Sequence, residues 1–195
     1  MRNCCIFTVT AFLLCSCAGI MSVEKALSPL SLDAPVYRVN CGEDTVYRDF
    51  KGYVWKPDRI YDENAGYGNL NYAWETTSVR YNLPIKNTSR RKIYQTESWG
   101  SPHYRFNVEN GRYTILLHFA ETFEGITEPG KRQFDVFMES EKALAGFDPI
   151  RESGLHAKAI IKYFPDVKVE DGALDIEFIP TRQQAIINAI EVFRQ

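Results

Sequence analysis

The stretch RYTILLHFA, residues 112–120, decides the fold of this chain. Successive side chains of a β-strand point to opposite faces, so one face of this stretch carries Tyr113, Ile115, Leu117 and Phe119. The stretch follows Asn110-Gly111, a pair that favours tight turns. The pattern predicts a β-strand that packs its aromatic and aliphatic face against a core.

Similar short stretches follow at roughly ten-residue spacing, which is typical of β-sandwiches. We expect strands at 132–140, 157–163, 167–169, 173–179 and 186–193. Turn-forming residues divide them: Pro165-Asp166, Asp171-Gly172 and Pro180. No segment shows a sustained helical period. The sequence therefore predicts an all-β fold, a β-sandwich of jelly-roll type.

The first half of the chain is more irregular, with many Gly, Asn, Tyr and Asp residues between 58 and 75. Long stretches without secondary structure are rare in compact domains unless they have a function. We therefore expect this region to form functional loops.

The N-terminal residues 1–17 have the features of an export signal. The stretch 6–15 is apolar apart from two Thr, and about ten residues are too few to cross a bilayer, which takes about 20. It ends in Leu14-Cys15-Ser16-Cys17, which is typical of a bacterial lipobox with Cys17 as the acylated N-terminus. This predicts an exported lipoprotein with fatty acyl chains such as palmitate, held at the outer membrane or cell surface. The alternative is an ordinary cleaved signal peptide rich in Cys.

Beyond the signal, residues 18–35 are predicted to form a flexible tether and residues 36–195 one continuous module. Four of the five Cys lie in the signal region, so an internal disulfide is not expected, and Cys41 is expected to be buried. The formal net charge of −2 gives no basic stripe for nucleic acid.

Catalytic and metal-site motifs are lacking in the sequence. The three histidines, His103, His118 and His156, lie far apart without the spacing of a metal site. The chain has no GxSxG elbow, P-loop or dinucleotide-binding fingerprint. Carboxylates are plentiful, so the alternative of a glycosidase pair about 5 to 9 Å apart stays open, although a small sandwich without a deep cleft rarely houses one. We expect a protein without enzymatic activity, cofactor or metal.

Several stretches together resemble one family. They are YRVNCG (37–42), GRYTILLHFAETF (111–123), GKRQFDV (130–136), LDIEFIP (174–180) and INAIEV (187–192). The combination is similar to malectin and malectin-like domains and covers residues 36–195. The resemblance implies a malectin-type β-sandwich that binds carbohydrate, with a glucose-containing oligosaccharide or polysaccharide as ligand. Bacterial relatives often accompany glycoside hydrolases, so a hydrolase encoded nearby is an expected partner.

The resemblance also implies the site residues. The family's aromatic positions fall on Tyr67, Trp99 and Phe123, which we expect to converge on one open ledge. Glu124 stands where the family has a second aromatic residue, and Gln183 where it has a carboxylate. Aromatic rings cover the apolar C–H face of a pyranose, while amides and carboxylates pair with its hydroxyls.

Each of these residues also has a structural interpretation. Trp99 could pack within its loop, and Phe123 could close the end of its strand. Tyr72 and Trp74, in the first loop region, are further candidates for the sugar site. Tyr94 is expected to pack beneath the site, and Glu121 to satisfy backbone groups of a loop. The alternative function is an anchored structural or protein-interaction domain that has lost sugar binding, which the departures at 124 and 183 favour.

Overall fold

The computed structural model describes residues 35–71, 79–80 and 82–195, and the side chains of 79 and 80 are not part of that description. The predicted signal, with Cys17, and the candidates Tyr72 and Trp74 lie outside the described residues. The strands are β1 (Tyr37–Asn40), β2 (Tyr47–Arg48), β3 (Val54–Pro57), β4 (Tyr67–Asn69), β5 (Val79–Arg80), β6 (Thr96–Gly100), β7 (His103–Asn107), β8 (Gly111–Phe119), β9 (Gln133–Met138), β10 (Glu141–Phe147), β11 (Ile160–Val169), β12 (Ala173–Arg182), β13 (Ala185–Ile187) and β14 (Ala189–Arg194). A 3-10 helix spans Arg91–Tyr94 and one short α-helix, α1, spans Pro149–Ser153.

The described strands form a β-sandwich, as the sequence predicts. One sheet has the order β11-β8-β14-β1-β3-β2 and the other β10-β9-β12-β7-β4. A third, small sheet has the order β13-β6-β5. Most pairs are antiparallel, and β1 and β3 pair in parallel. Both larger sheets contribute side chains to one core, which lies between them.

Strand β8 confirms the prediction from residues 112–120. All four side chains of its predicted inner face are at most 1% exposed: Tyr113, Ile115, Leu117 and Phe119. Its other face is buried as well, because Trp55 and Tyr94 of a second hydrophobic cluster pack on His118. Cys41 is fully buried, as expected.

Several predicted boundaries are wrong for identifiable reasons. Residues 160–163 and 167–169, expected in two strands, belong to one strand, β11, because Pro165-Asp166 forms a bulge in it instead of a turn. Residues 157–159 precede this strand. The stretch 186–193 is two strands, interrupted at Asn188. Helix α1 has only five residues, too few for a helical period, and is fixed by the Asp148 side chain, which accepts from the backbone N–H groups of 150 and 151.

No helix among residues 35–71, 79–80 and 82–195 has the length and apolar character needed to cross a bilayer.

The buried face of β8 carries a polar network. The hydroxyl of Tyr94 lies 2.8 Å from Nδ1 of His118, and Nε2 of His118 lies 3.0 Å from Oε1 of Glu191. Nε of Arg38 donates to Oε2 of Glu191 at 2.5 Å. Every member of this network is at most 9% exposed. Because buried polar groups are costly without partners, this network lets the outer face of β8 be covered.

The turn after β1 approaches the small sheet closely. Gly42 has a φ of +77°, and a Cβ there would lie 2.3 Å from the carbonyl oxygen of Glu97. Residues with a Cβ rarely adopt this left-handed backbone conformation, and here the Cβ would also clash with the backbone of Glu97 unless one of the two segments moved. This contact fixes the distance between β1 and β6.

We therefore expect Gly42→Ala to destabilise the fold strongly. The matched control is Gly52→Ala, where φ is +84° but nothing lies within 4 Å of the added Cβ. The free energy of unfolding of the control should fall by about 1–2 kcal/mol, the cost of a left-handed backbone at a residue with a Cβ. That of Gly42→Ala should fall by clearly more. Urea unfolding of both variants measures this, and equal losses would contradict the close approach.

The network at Glu191 predicts a loss of stability in acid. Burial alone raises the pKa of Glu191, but the hydrogen bond to His118 and the charges of His118 and Arg38 outweigh it and lower the pKa from 4.5 to about 2. Since the folded value lies below the ordinary one, the stabilisation is complete above pH 4.5 and lost as pH falls toward 2.

At 1.36 kcal/mol per pKa unit, the contribution of Glu191 is about 3 kcal/mol. The difference in unfolding free energy between wild type and Glu191→Gln should therefore shrink by about that amount between pH 5 and pH 2. Urea unfolding across this range provides the measurement. A difference that stays constant with pH would show that the carboxylate is not stabilised in the fold.

Candidate functional site

A cleft of about 250 Å³ lies where strand β6, the β8–β9 loop and the β12–β13 turn meet. This is slightly below the roughly 300–1,000 Å³ typical of pockets for drug-sized ligands, so the cleft suits a small group. Its described lining is Glu97, Trp99, Phe123, Ile126, Arg132, Gln183 and Gln184. The cleft therefore combines aromatic, amide and charged side chains.

Two aromatic side chains form its apolar wall. Trp99 lies near the end of β6 and is partly buried, while Phe123 is 47% exposed in the loop after β8. Gly125 allows the Phe123 ring to fold back over the loop, since a Cβ at 125 would lie 2.5 Å from Cε1 of the ring. Nearly half of the Phe123 side chain is therefore free to contact a ligand.

The floor of the cleft is charged and buried. Glu97, Glu121 and Arg132 are each at most 5% exposed. Nε of Arg132 donates to Glu121 Oε2 at 2.5 Å, and its Nη2 to Glu121 Oε1 at 3.3 Å. Burial, followed by the charge of Glu121, raises the pKa of Glu97 from 4.5 to about 8, although Arg132 and Thr122 act in the opposite direction. At neutral pH Glu97 is therefore mostly a neutral carboxylic acid.

The rim is formed by the β12–β13 turn. Gln183 has a φ of +58°, and its side chain is exposed. The backbone carbonyl of Gln184 accepts a hydrogen bond from Nη1 of Arg132, which ties the rim to the floor. The indole Nε1 of Trp99 is buried and has no hydrogen-bond partner among the described residues.

Asn188 holds the small sheet to the main one. Its Nδ2 donates to the carbonyl of Thr96 at 2.8 Å, and its Oδ1 accepts from the backbone N–H of Ala120 at 2.6 Å. Thr96 begins β6 and Ala120 begins the loop that carries Phe123. One buried side chain thus fixes the two elements that bear the aromatic wall.

The structure brings together three of the residues predicted from the sequence: Trp99, Phe123 and Gln183. Glu124 is exposed on the same loop but does not line the cleft. Tyr72 lies outside the described residues.

The expectation for Tyr67 is corrected. Tyr67 lies in β4 and not in an open loop, is 4% exposed in the main core, and donates its hydroxyl to the carbonyl of Pro57 at 3.0 Å. The flanking Gly68 is required because a Cβ would lie 2.4 Å from backbone atoms of Tyr61. The glycines on either side of Tyr67, at 66 and 68, therefore reflect close packing and not an open loop. The prediction of an exposed ring at position 67 is wrong.

One further expectation is met, because Oε1 of Glu121 accepts the backbone N–H of Phe123 at 3.1 Å. Tyr94 is 1% exposed, but it packs in the second hydrophobic cluster and does not line the cleft. Four residues of the cleft were not predicted from the sequence: Glu97, Ile126, Arg132 and Gln184. Glu97 lies two positions before Trp99, but its burial beside Glu121 depends on contacts between residues 24 positions apart, which leave no local pattern in the sequence.

A larger cleft, of about 640 Å³, lies between the β9–β10 turn and the bulge of β11. Its lining is mostly charged, with Lys142, Asp166 and Lys168 among the exposed residues, and its ring is the partly buried Phe164. It lacks an exposed aromatic wall above buried polar groups, so the smaller cleft is the better candidate. Within the described ranges, no three His, Cys, Asp or Glu side chains are arranged to hold a metal ion.

Comparisons with known proteins agree with this architecture. Receptor-like protein 4 of Arabidopsis thaliana is 30% identical over 167 residues, which is 80% of this chain and 26% of that protein. The crystal structure of Bacteroides uniformis beta-glucuronidase matches with a TM-score of 0.72 at 22% identity, covering 82% of this chain and 18% of the enzyme. The structure of the plant peptide RALF23 in complex with FER and LLG2 matches with a TM-score of 0.69 at 18% identity, covering 82% of this chain and 48% of the matched one.

The chain thus spans about a quarter of the length of that curated relative. The two structural matches share the fold at low identity. The family model described as the Malectin domain matches residues 35–193, which is nearly all of the described chain. The chain therefore belongs to the malectin domain family.

Proposed function

We propose that this chain binds carbohydrate without catalysing a reaction, with a glucose-containing oligosaccharide or polysaccharide as its ligand. The observation that carries the proposal is the cleft in which Trp99 and the exposed ring of Phe123 stand beside Gln183. A pyranose presents an apolar C–H face and a rim of hydroxyls. The aromatic wall suits the face, and the amides of 183 and 184 suit the hydroxyls.

The size and openness of the cleft set the expected affinity. A volume of about 250 Å³ suits one sugar ring, with further rings extending into solvent. Few polar contacts and one apolar wall give millimolar to micromolar dissociation constants, about −4 to −8 kcal/mol. Such affinity serves a module that acts on polymers or at a surface, where several weak contacts add.

The second candidate is a structural or protein-interaction domain that has lost sugar binding. The burial of Tyr67 removes one of the three expected rings from the site, and Glu124 replaces another aromatic. The matched structure of a plant peptide in complex with FER and LLG2 shows that a protein with this fold occurs in a protein complex. This candidate predicts an intact fold and no response to sugars.

We also propose that the chain is exported and anchored to a bacterial membrane through a lipid on Cys17, beside a glycoside hydrolase encoded nearby. The lipobox-like Leu14-Cys15-Ser16-Cys17 motivates the anchor. The match covers 18% of Bacteroides uniformis beta-glucuronidase, so in that protein a fold like this one is one part of a longer glycoside hydrolase chain. This supports the association of the present domain with a hydrolase. Multiple acyl chains give stable anchoring at about 0.8 kcal/mol per buried methylene.

Substitution of the aromatic wall tests the sugar proposal. Burying one ring face contributes about 1–2 kcal/mol, so Trp99→Ala and Phe123→Ala should each weaken binding about 10-fold or more. Gly125→Ala should weaken it less, because it displaces the Phe123 ring without removing it. Titration calorimetry with a panel of α- and β-linked gluco-disaccharides, and retention on polysaccharides, provide the measurements.

The matched control is Phe50→Ala, since Phe50 is 64% exposed and does not line the cleft. It should bind as the wild type does. No binding by a folded wild-type protein to any sugar would favour the interaction domain, and equal losses in Phe50→Ala and Phe123→Ala would remove the cleft as the site. Release of reducing ends during incubation with the panel would contradict the non-catalytic proposal.

The anchor is tested by Cys17→Ser in a bacterial host. The wild type should incorporate radiolabelled palmitate and sediment with membranes, and the variant should do neither. Cys15→Ser serves as the control, because it changes a neighbouring cysteine without removing the predicted acylation site. A wild-type protein that is secreted without label would support the ordinary cleaved signal instead.

A further inference from the structure

The cleft floor contains more carboxyl groups than cations. Glu97 and Arg132 line the cleft, and Glu121 lies directly behind them. Arg132 directs three of its N–H groups to fixed acceptors, two to Glu121 and one to the carbonyl of Gln184. The charge of Arg132 is thus matched by Glu121. Among the described side chains, no cation lies within ion-pair distance of Glu97.

The groups that face Glu97 come from several elements. The β8–β9 loop contributes Glu121 and Arg132, which are the titratable ones, and the hydroxyl of Thr122 at 3.2 Å from Oε2. The β12–β13 turn contributes the neutral amides of 183 and 184. The β1–β2 turn places the backbone of Gly42 against the backbone of Glu97. The exposed cations Lys131 and Arg182 do not line the cleft.

A buried carboxyl group without its own cation avoids the cost of desolvation by keeping its proton. The pKa of Glu97, raised to about 8 by burial and then by Glu121, agrees with this charge count. In the protonated form a carboxyl group has an O–H donor, which a carboxylate lacks. Glu97 thus adds a hydrogen-bond donor to a cleft whose guanidinium is already engaged.

We propose that Glu97 acts as a neutral hydrogen-bond donor to a hydroxyl of the bound sugar, and that the cleft selects uncharged sugars over uronic acids. This rests on the proposed function and names the class of sugar. A uronate in the cleft would be a second anion beside the carboxylate of Glu121. The guanidinium of Arg132 would then be the one nearby cation for both. A neutral hexose meets no such penalty.

The test is a pH titration of binding with two probes. One is the gluco-disaccharide that binds best in the panel, and the other is the same disaccharide oxidised to the uronate at C6. The wild type should bind the neutral disaccharide with constant affinity up to about pH 7. Its affinity should then fall by up to about 10-fold per pH unit above pH 8, because binding requires the proton of Glu97. The uronate should bind about 10-fold more weakly at pH 7.

Glu97→Gln should lose the pH dependence of binding between pH 6 and pH 9.5, since its amide donates a hydrogen bond but does not titrate. Glu128→Gln is the matched control, because it makes the same change at an exposed position of the β8–β9 loop outside the cleft. It should behave as the wild type at every pH. Circular dichroism at each pH verifies that the proteins remain folded.

A wild-type affinity that does not change between pH 6 and pH 9.5, or a uronate that binds as tightly as the neutral sugar, would overturn the inference. These two arms need no variant, so they remain decisive if Glu97→Gln does not fold. Carbon-13 NMR of the ligand-free protein adds an independent reading, and a Glu97 that titrates near 4.5 would also overturn it. Absence of any disaccharide binding at every pH is a different result, and it refutes the sugar-binding function itself.

Discussion

The burial of strand β8 on both faces is the constraint on which the rest of the fold depends. Its inner face packs in the sandwich core, and its outer face lies beneath Trp55 and Tyr94. A shift of one residue would exchange the faces and send His118 into an apolar interior. The register is therefore fixed, and so is the loop that follows. Because β8 ends at Phe119, Phe123 lines the cleft and Glu121 lies behind its floor.

Glu191 and Glu97 are both buried carboxyl groups, and their surroundings stabilise opposite protonation states. Glu191 has Arg38 and His118 beside it, so partners outweigh desolvation and the carboxylate form is retained. Glu97 has another carboxyl group as its neighbour, and the nearby guanidinium is already paired, so desolvation outweighs the partners. Although both carboxyl groups are buried to a similar degree, Glu191 is held as the carboxylate and Glu97 as the protonated acid. The difference lies in the number of cations within reach, which burial alone does not reveal.

The residues differ in how far sequence could predict them. The inner face of β8 follows from strict alternation, which is a local pattern. Trp99 and Phe123 were identified through their resemblance to a family, and the structure brings them into one cleft. The position of Tyr67 does not follow from the sequence, because glycines beside an aromatic residue are compatible both with an exposed loop and with close backbone packing. The pairing of Arg132 with Glu121 and the environment of Glu97 arise from tertiary contacts, for which the sequence has no periodic signal.

Three features of the cleft destabilise the fold and are not compensated by other contacts within it. Glu97 is buried without a cation, the indole N–H of Trp99 is buried without a partner, and the ring of Phe123 is left half exposed. Single departures of these kinds also occur elsewhere among the described residues, as at the exposed ring of Phe50 and the unpartnered buried amide of Asn40, but these three lie together in one small cleft. Local departures of this kind are expected where a site is built for a ligand. A sandwich retained only as a spacer would gain stability by placing apolar groups at these positions, so the clustering favours ligand binding over a purely structural role.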